Sequence, residues 1–271
     1  MGCLLVWEDY RVSRWALKLW TLELPTEFYV YLVMGAAAGG FINGLAGFGT
    51  ALFALGFWLN VMPPVQAVSM VAVMSVASGL QGVWLVRRSI AHQPRRLTRF
   101  LLPALPGIPI GIAALAYIPE EALKTIIAGF MMLYGGFFTF RSTLPKIERP
   151  APIIEYIVGF SGGFLGGAAS LSGAVPTMWC AMRPWPKAET RAVLQPFNVV
   201  VLALAIVMFA VKGAYSWDTL ILIGLALPVT MVFAQIGISL FKRLDDDQFR
   251  RLIIAMMFLS GIVLMLRALT V

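Results

Sequence analysis

The stretch NGLAGFGT at residues 43–50 interrupts a long segment that carries no charged residue. This segment, residues 28–60, is longer than the about 20 residues that a helix needs to cross a hydrocarbon core of about 30 Å. A second long uncharged segment, residues 156–182, is interrupted in its middle by GGAASLSG at residues 166–173. Glycine permits tight backbone turns, so we predict that both segments are helices broken at these stretches.

The composition is that of a membrane protein. Hydrophobic residues make up 60% of the 271 residues and charged residues only 13%, about half of what a soluble domain carries. The net charge of +8 does not indicate a nucleic-acid partner, because the basic residues gather in short loops between apolar runs, as positive-inside topology requires. The two cysteines fit no metal or redox spacing. We predict neither metal nor cofactor.

Further uncharged runs, each near the length of one crossing, predict additional membrane helices. They are residues 64–86, 100–119, 125–140, 192–211, 219–241 and 252–266. Residues 1–27 mix charges with tryptophan and leucine. Such a mixture predicts an amphipathic segment that lies in the membrane interface.

Loop charges favour one of two topologies. If each broken segment returns to its own side, the loops after residues 86, 140, 182 and 241 share a side and carry five, three, three and four basic residues, 15 of the 21 Lys and Arg. If each broken segment crosses instead, the division is 13 against 8. The positive-inside rule favours the first arrangement, which makes the chain a multi-pass inner-membrane protein with basic loops in the cytoplasm.

The two halves of the chain, residues 28–141 and 151–271, align with each other. Four landmarks recur in the same order at offsets of 123 to 126: GGFINGLA at 39–46 over GGFLGGAA at 162–169, Pro63 over Pro186, Gly111 over Gly237, and LKTII at 123–127 over FRRLI at 249–253. Duplicated halves of opposite topology are the usual plan of secondary transporters. We therefore predict an all-α polytopic protein of two inverted-topology repeats, each with a glycine-broken, re-entrant helix pair plus three spanning helices.

The two breaks could bind an anion. A half-helix that begins inside the membrane has unpaired N–H groups and a partial positive charge, which bind carboxylate, sulfonate or phosphate-like oxygens. The candidate substrate-binding residues in the breaks are Asn43, Gly47, Phe48, Gly49, Thr50, Ser170, Ser172 and Gly173. The alternative interpretation is that the glycines only let helices pack closely.

Polar residues in neighbouring segments are the other site candidates. They are Ser75, Ser78 and Gln81 in 64–86, with Gln195 and Asn198 in 192–211. A spacing of three puts Ser75 with Ser78, and Gln195 with Asn198, on one helix face. Such groups contact substrate or join helices by hydrogen bonds. We interpret Arg191 and Glu189 as a solvated pair, with Arg191 also placed to attract an anion at the cytoplasmic mouth.

Four stretches resemble the TauE/SafE family, also called the toluene-sulfonate uptake permease family. They are residues 35–49, 63–67, 159–173 and 186–191. The resemblance implies a secondary transporter of sulfur-containing anions, such as sulfite or organosulfonates like sulfoacetate, which is often an exporter. Its partners would then be a small anion and the lipid bilayer, and a homo-oligomer is compatible with the sequence.

Three other classes of protein compete with a transporter. A membrane enzyme would need a catalytic base, and the only histidine, His92, lies in a basic loop rather than in an apolar segment. We therefore predict that the chain is not an enzyme. A channel and an assembly factor for another membrane protein stay open as alternatives, as do the anion, the direction of transport and the coupling ion.

Overall fold

The computed structural model describes residues 25–92, 94–119, 147–149 and 151–245, together with the single positions 122, 125, 129, 247, 248 and 251. Apart from a few of these positions, the predicted interfacial segment 1–27 and the predicted helices 125–140 and 252–266 lie outside the described residues. The ranges above include all of both predicted breaks.

Within these ranges the chain forms helices and no strands. The eight helices are α1 (Thr26–Ala46), α2 (Thr50–Trp58), α3 (Pro64–His92), α4 (Pro94–Leu115), α5 (Pro152–Ala169), α6 (Ala174–Ala181), α7 (Lys187–Val211) and α8 (Trp217–Arg243). Five of them, α1, α3, α4, α7 and α8, are long and apolar enough to cross a membrane. The prediction that the two long uncharged segments are broken helices is confirmed, because 28–60 forms α1 and α2, and 156–182 forms α5 and α6.

The two breaks turn by different means. In the first, Gly47 and Gly49 have φ angles of 85° and 96°, in the left-handed region that glycine tolerates. In the second, the left-handed residue is Ser170, with a φ angle of 55°, and its N–H donates to the Gly166 carbonyl at 3.0 Å. The prediction that glycine makes the turn is therefore correct for the first break and wrong for the second.

Each short helix runs back along the helix before it. Trp58, at the end of α2, donates its indole N–H to the Leu32 carbonyl of α1 at 3.1 Å. Arg183, just after α6, lies 2.9 Å from Glu155 in the first turn of α5. The end of each short helix therefore lies close to the early part of the helix before it.

Glycine faces hold together helices from different halves of the chain. A Cβ on Gly40 of α1 would collide with the Thr230 carbonyl oxygen of α8, and a Cβ on Gly163 of α5 with the Ala104 carbonyl oxygen of α4. Gly44 and Gly167, four residues further on, meet carbonyl oxygens of the same two partner helices. Close packing, the alternative interpretation of the glycines, is therefore correct for these four. None of them is among the candidate site residues.

Helices α3 and α7 pack against each other between these two pairs. Three of the predicted basic loops meet at one end of the bundle, where Arg96 lies 2.8 Å from Glu189 and Arg99 lies 3.3 Å from Glu155. The opposite end joins the start of α3 to the start of α8 through a 3.3 Å bond from Gln66 to Thr219.

Candidate functional site at the two helix breaks

The two breaks contact each other in the middle of the molecule. Phe48, of the first break, is 1% exposed and packs directly on Gly173 of the second. A Cβ on Gly173 would lie 2.5 Å from the Phe48 Cβ. Glycine is therefore needed at 173 so that the two breaks can approach this closely.

At the first break, Asn43 is bonded to the face of α3 that the sequence predicted to be polar. Its amide nitrogen donates to the Ser75 carbonyl at 3.0 Å and to the Ser78 hydroxyl at 2.6 Å. Ser78 in turn donates to the Met74 carbonyl at 2.6 Å. The prediction that Ser75 and Ser78 share a helix face is confirmed. The Asn43 amide oxygen is buried without a partner among the described residues.

At the second break, the Ser172 hydroxyl donates to the amide oxygen of Asn198. Ser172 is 0% exposed and Asn198 2% exposed, and the Asn198 amide nitrogen has no partner in the part of the chain that the structure describes. The Ser170 hydroxyl donates its proton to the Val68 carbonyl at 2.9 Å, so it has no further proton to donate to a ligand. Of these groups, the Asn198 amide is the donor that remains for a ligand.

Gln195 lies between the first break and α3. Its amide oxygen accepts a 3.2 Å hydrogen bond from Nε of Arg191. Arginine only donates, so this bond fixes the amide with its nitrogen on the other side. A Cβ built on Gly79 would lie 3.4 Å from this nitrogen and 3.9 Å from the Asn43 amide nitrogen. The Gln195 nitrogen is buried and has no partner within the described ranges.

Arg191 is buried rather than solvated. It is 1% exposed, and its terminal nitrogens donate to the carbonyls of Gly44 at 2.8 Å and Leu45 at 3.1 Å. The predicted solvated pair of Arg191 with Glu189 is wrong, because Glu189 pairs with Arg96 at the bundle end. The physical reason is that the last carbonyls of α1 have no partner within their helix and attract a cation.

The remaining candidates differ in their surroundings. The Thr50 hydroxyl, at the start of α2, is buried without a partner among the described residues. Gly47 lies against Gln195 and Gly49 against Ile42. Gln81 is turned towards α8, where its amide nitrogen lies 3.5 Å from the Met231 sulfur. The structure thus groups the break residues with α3 and α7, and separates the Gln81 amide nitrogen from them.

The two short helices present unequal N-termini. Gly49 precedes α2 and has no side chain to cap it, so the first N–H groups of α2 are not capped locally. In α6, Ala174 donates its N–H to the Leu171 carbonyl at 3.2 Å, and Pro176 has no N–H. The expectation of two equivalent helix ends therefore fits α2 better than α6.

Sequence reasoning missed Gly79 and Gly82 of α3 and the inward position of Arg191. The Gln195 side chain packs on both glycines. Two signals were present in the sequence: the glycines are three residues apart and so share one face of a helix, and Arg191 precedes Gln195 by four residues, which puts them on the same face of α7.

Five apolar helices of spanning length and two broken helices that meet at their breaks define a multi-pass membrane protein. The profile of the family described as "Sulfite exporter TauE/SafE" matches residues 31–264. The chain belongs to this family, and the resemblance noted in the sequence is confirmed. Comparisons with curated proteins and with solved structures found no match.

Proposed function

We propose that the chain is a secondary transporter that exports small sulfur-containing anions, sulfite or organosulfonates such as sulfoacetate, across the inner membrane. The family is one of membrane transporters of sulfur anions, which supports this class of function over an enzyme. The anion would bind where the two breaks meet, at the interface of two inverted repeats.

The observation that carries the proposal is a set of buried donors without partners around the breaks. The Gln195 and Asn198 amide nitrogens and the Thr50 hydroxyl are buried with no hydrogen-bond partner among the described residues. A buried donor without a partner costs free energy. An anion with several oxygens would satisfy such donors.

Two further observations support inverted repeats with re-entrant helix pairs. The helix pair of the first half has its outer ends near the start of α3, and the pair of the second half has its outer ends near the start of α7. The starts of α3 and α7 lie at opposite ends of the bundle. The glycine contacts of α1 with α8 recur between α5 and α4 at the sequence offsets of 123 and 126. Opposite orientation of equivalent elements is the arrangement expected for alternating access.

Flux measurements in proteoliposomes test this function. We expect purified protein to move sulfite or sulfoacetate at a rate that saturates with anion concentration. We expect Asn198→Leu to abolish most of this flux, because it removes the free amide. Asn60→Leu, at an asparagine exposed in the turn after α2, is the matched control and should leave the flux unchanged.

Two results would contradict the proposal. Flux that rises linearly with anion concentration without saturating would favour a channel. Protein that moves none of sulfite, sulfoacetate, taurine and sulfate, but that copurifies with another membrane protein, would favour an assembly factor.

A further inference from the structure

Arg191 places an isolated positive charge beside the first break. We propose that this charge sets the charge of the ligand, so that the breaks select anions over neutral molecules of the same shape. This inference rests on the proposed function and names the residue that selects charge at the same site.

The Arg191 charge is buried and has no acidic partner among the described residues. The ion pairs found there join Arg96 to Glu189, and Arg99 and Arg183 to Glu155. Arg191 instead donates to two backbone carbonyls of α1 and stacks on the Phe241 ring, with 4.3 Å from Cζ to the ring centre. Dipoles and an aromatic face reduce the cost of burying the cation, but they carry no full negative charge.

The guanidinium keeps donors that a ligand could use. Arginine has five N–H groups, and three of them are used on the carbonyls of Gly44 and Leu45 and on Gln195. The two others belong to the terminal nitrogens. Arg191 also orients the free Gln195 amide, so one residue supplies the charge and fixes a neighbouring donor.

The surrounding helix ends leave the local charge near one positive unit. A helix terminus carries roughly half an elementary charge, negative at the carbonyl end and positive at the N–H end. The carbonyl end of α1 therefore offsets part of the guanidinium charge, and the N-terminus of α2 returns a similar amount. A ligand with a negative charge therefore compensates the buried positive charge, whereas a neutral ligand leaves it without compensation.

Two probes of similar size separate the effect of charge from that of shape. Methanesulfonate carries one negative charge at pH 7, and methanesulfonamide is neutral. We expect the purified wild-type chain in detergent to bind methanesulfonate at least about tenfold more tightly than methanesulfonamide, as judged from titration and from thermal stabilisation. The tenfold ratio between sulfonate and sulfonamide measures charge selection directly.

Variants at Arg191 and Gln195 test the role of the charge. We expect Arg191→Gln to reduce the sulfonate-to-sulfonamide ratio to about one, whereas Arg191→Lys keeps the preference at lower affinity because it keeps the charge. Gln195→Glu provides a variant of nearly unchanged shape. Its carboxylate would neutralise Arg191 at the distance of the present hydrogen bond, so sulfonate binding should be lost while the chain stays folded. Arg96→Gln, at a partly exposed arginine, is the matched control and should bind as the wild type does.

Three results would overturn the inference on ligand charge, and one of them would also overturn the proposed function. Wild-type binding of methanesulfonamide as tight as that of methanesulfonate would overturn the inference on ligand charge. So would an unchanged sulfonate-to-sulfonamide ratio in folded Arg191→Gln or Gln195→Glu, and in either case anion transport could still stand. A wild-type chain that binds no anion at all, sulfite included, would overturn the proposed function and this inference with it.

Discussion

At the scale of single residues, the site depends on how a few amides are held. Gln195 is oriented by an arginine, which leaves its amide only one arrangement. Among the described residues, the Asn198 amide oxygen accepts a hydrogen bond from the Ser172 hydroxyl. The serine of the second break thus matters less for its own hydroxyl than for the amide that it positions.

We expect Ser172→Ala to weaken anion binding about three- to tenfold without unfolding the chain. The change removes the hydrogen bond that positions the Asn198 amide, and a bond of this kind contributes roughly 0.5–1.5 kcal/mol. Titration of the purified variant with sulfite or methanesulfonate measures the effect. Ser69→Ala is the matched control, because Ser69 is equally buried and its hydroxyl donates to the Gln66 carbonyl of its own helix. Equal affinities in the two variants would show that the Ser172–Asn198 contact lies outside the site.

At the scale of helices, the glycines have two different structural roles. Gly47 and Gly49 make a turn with left-handed backbone. By contrast, glycines such as Gly40, Gly44 and Gly163 lie within helices and let neighbouring backbones approach each other. A glycine-rich sequence does not distinguish these uses. The partner helix decides between them, and it lies far away along the chain.

We expect Gly163→Ala to destabilise the chain by roughly 1–3 kcal/mol, because the added Cβ collides with the Ala104 backbone and the two helices must separate. Thermal unfolding in detergent measures the loss. Gly224→Ala is the matched control on α8, since nothing lies within 4 Å of a Cβ there. It should be neutral or slightly stabilising, because alanine favours helix more than glycine does. A melting temperature that falls equally in both variants would contradict close packing at Gly163.

The ends of α5 and α6 are joined by a buried ion pair. Glu155 and Arg183 are each 5% exposed in their side chains and lie 2.9 Å apart, and Arg183 also donates to the Ile147 and Arg149 carbonyls at 2.9 and 2.6 Å. Removal of one partner leaves an uncompensated buried charge. This pair therefore holds the end of α6 against the first turn of α5.

We expect Glu155→Gln to destabilise the chain by roughly 3–5 kcal/mol, since Arg183 would lose its buried counter-charge. Glu189→Gln serves as the control, because the Arg96–Glu189 pair is 35% and 40% exposed and such a pair contributes about 1 kcal/mol or less. Both variants are compared by thermal unfolding in detergent. A loss in Glu155→Gln no larger than that in Glu189→Gln would show that the pair does not hold the helix ends together.

At the scale of the whole molecule, charge-free runs predicted the helices well because each crossing has to keep charges out of the lipid. The breaks were predictable because their segments exceed one crossing. The burial of Arg191 was not, since its carbonyl partners lie 146 and 147 residues away along the chain. The left-handed turn at Ser170 was also missed, because glycines nearby offered a more favourable residue for that backbone. Gln195 and Asn198 were named from their polarity and their spacing of three, and the hydrogen bonds that orient their amides are seen only in the structure.

Cysteine labelling tests the arrangement of the bundle in the membrane. In a chain without its two natural cysteines, we expect Arg88→Cys and Ala188→Cys to react from the cytoplasmic side, and Tyr117→Cys and Lys212→Cys from the opposite side. The first two positions lie at the end with the basic loops, and the other two follow α4 and α7 as these helices reach the far end. Reaction of Arg88→Cys and Ala188→Cys from opposite sides would rule out re-entrant helix pairs.

The glycine contacts between α1 and α8 and between α4 and α5 also bear on how the halves come together during synthesis. Each half carries glycine grooves whose matching carbonyls belong to the other half. A polypeptide cut between residues 119 and 147 would leave every one of these grooves open on both fragments. Among the described residues, the carbonyls that meet each groove belong to the other fragment, so we expect the two fragments to associate as two subunits of a dimer do.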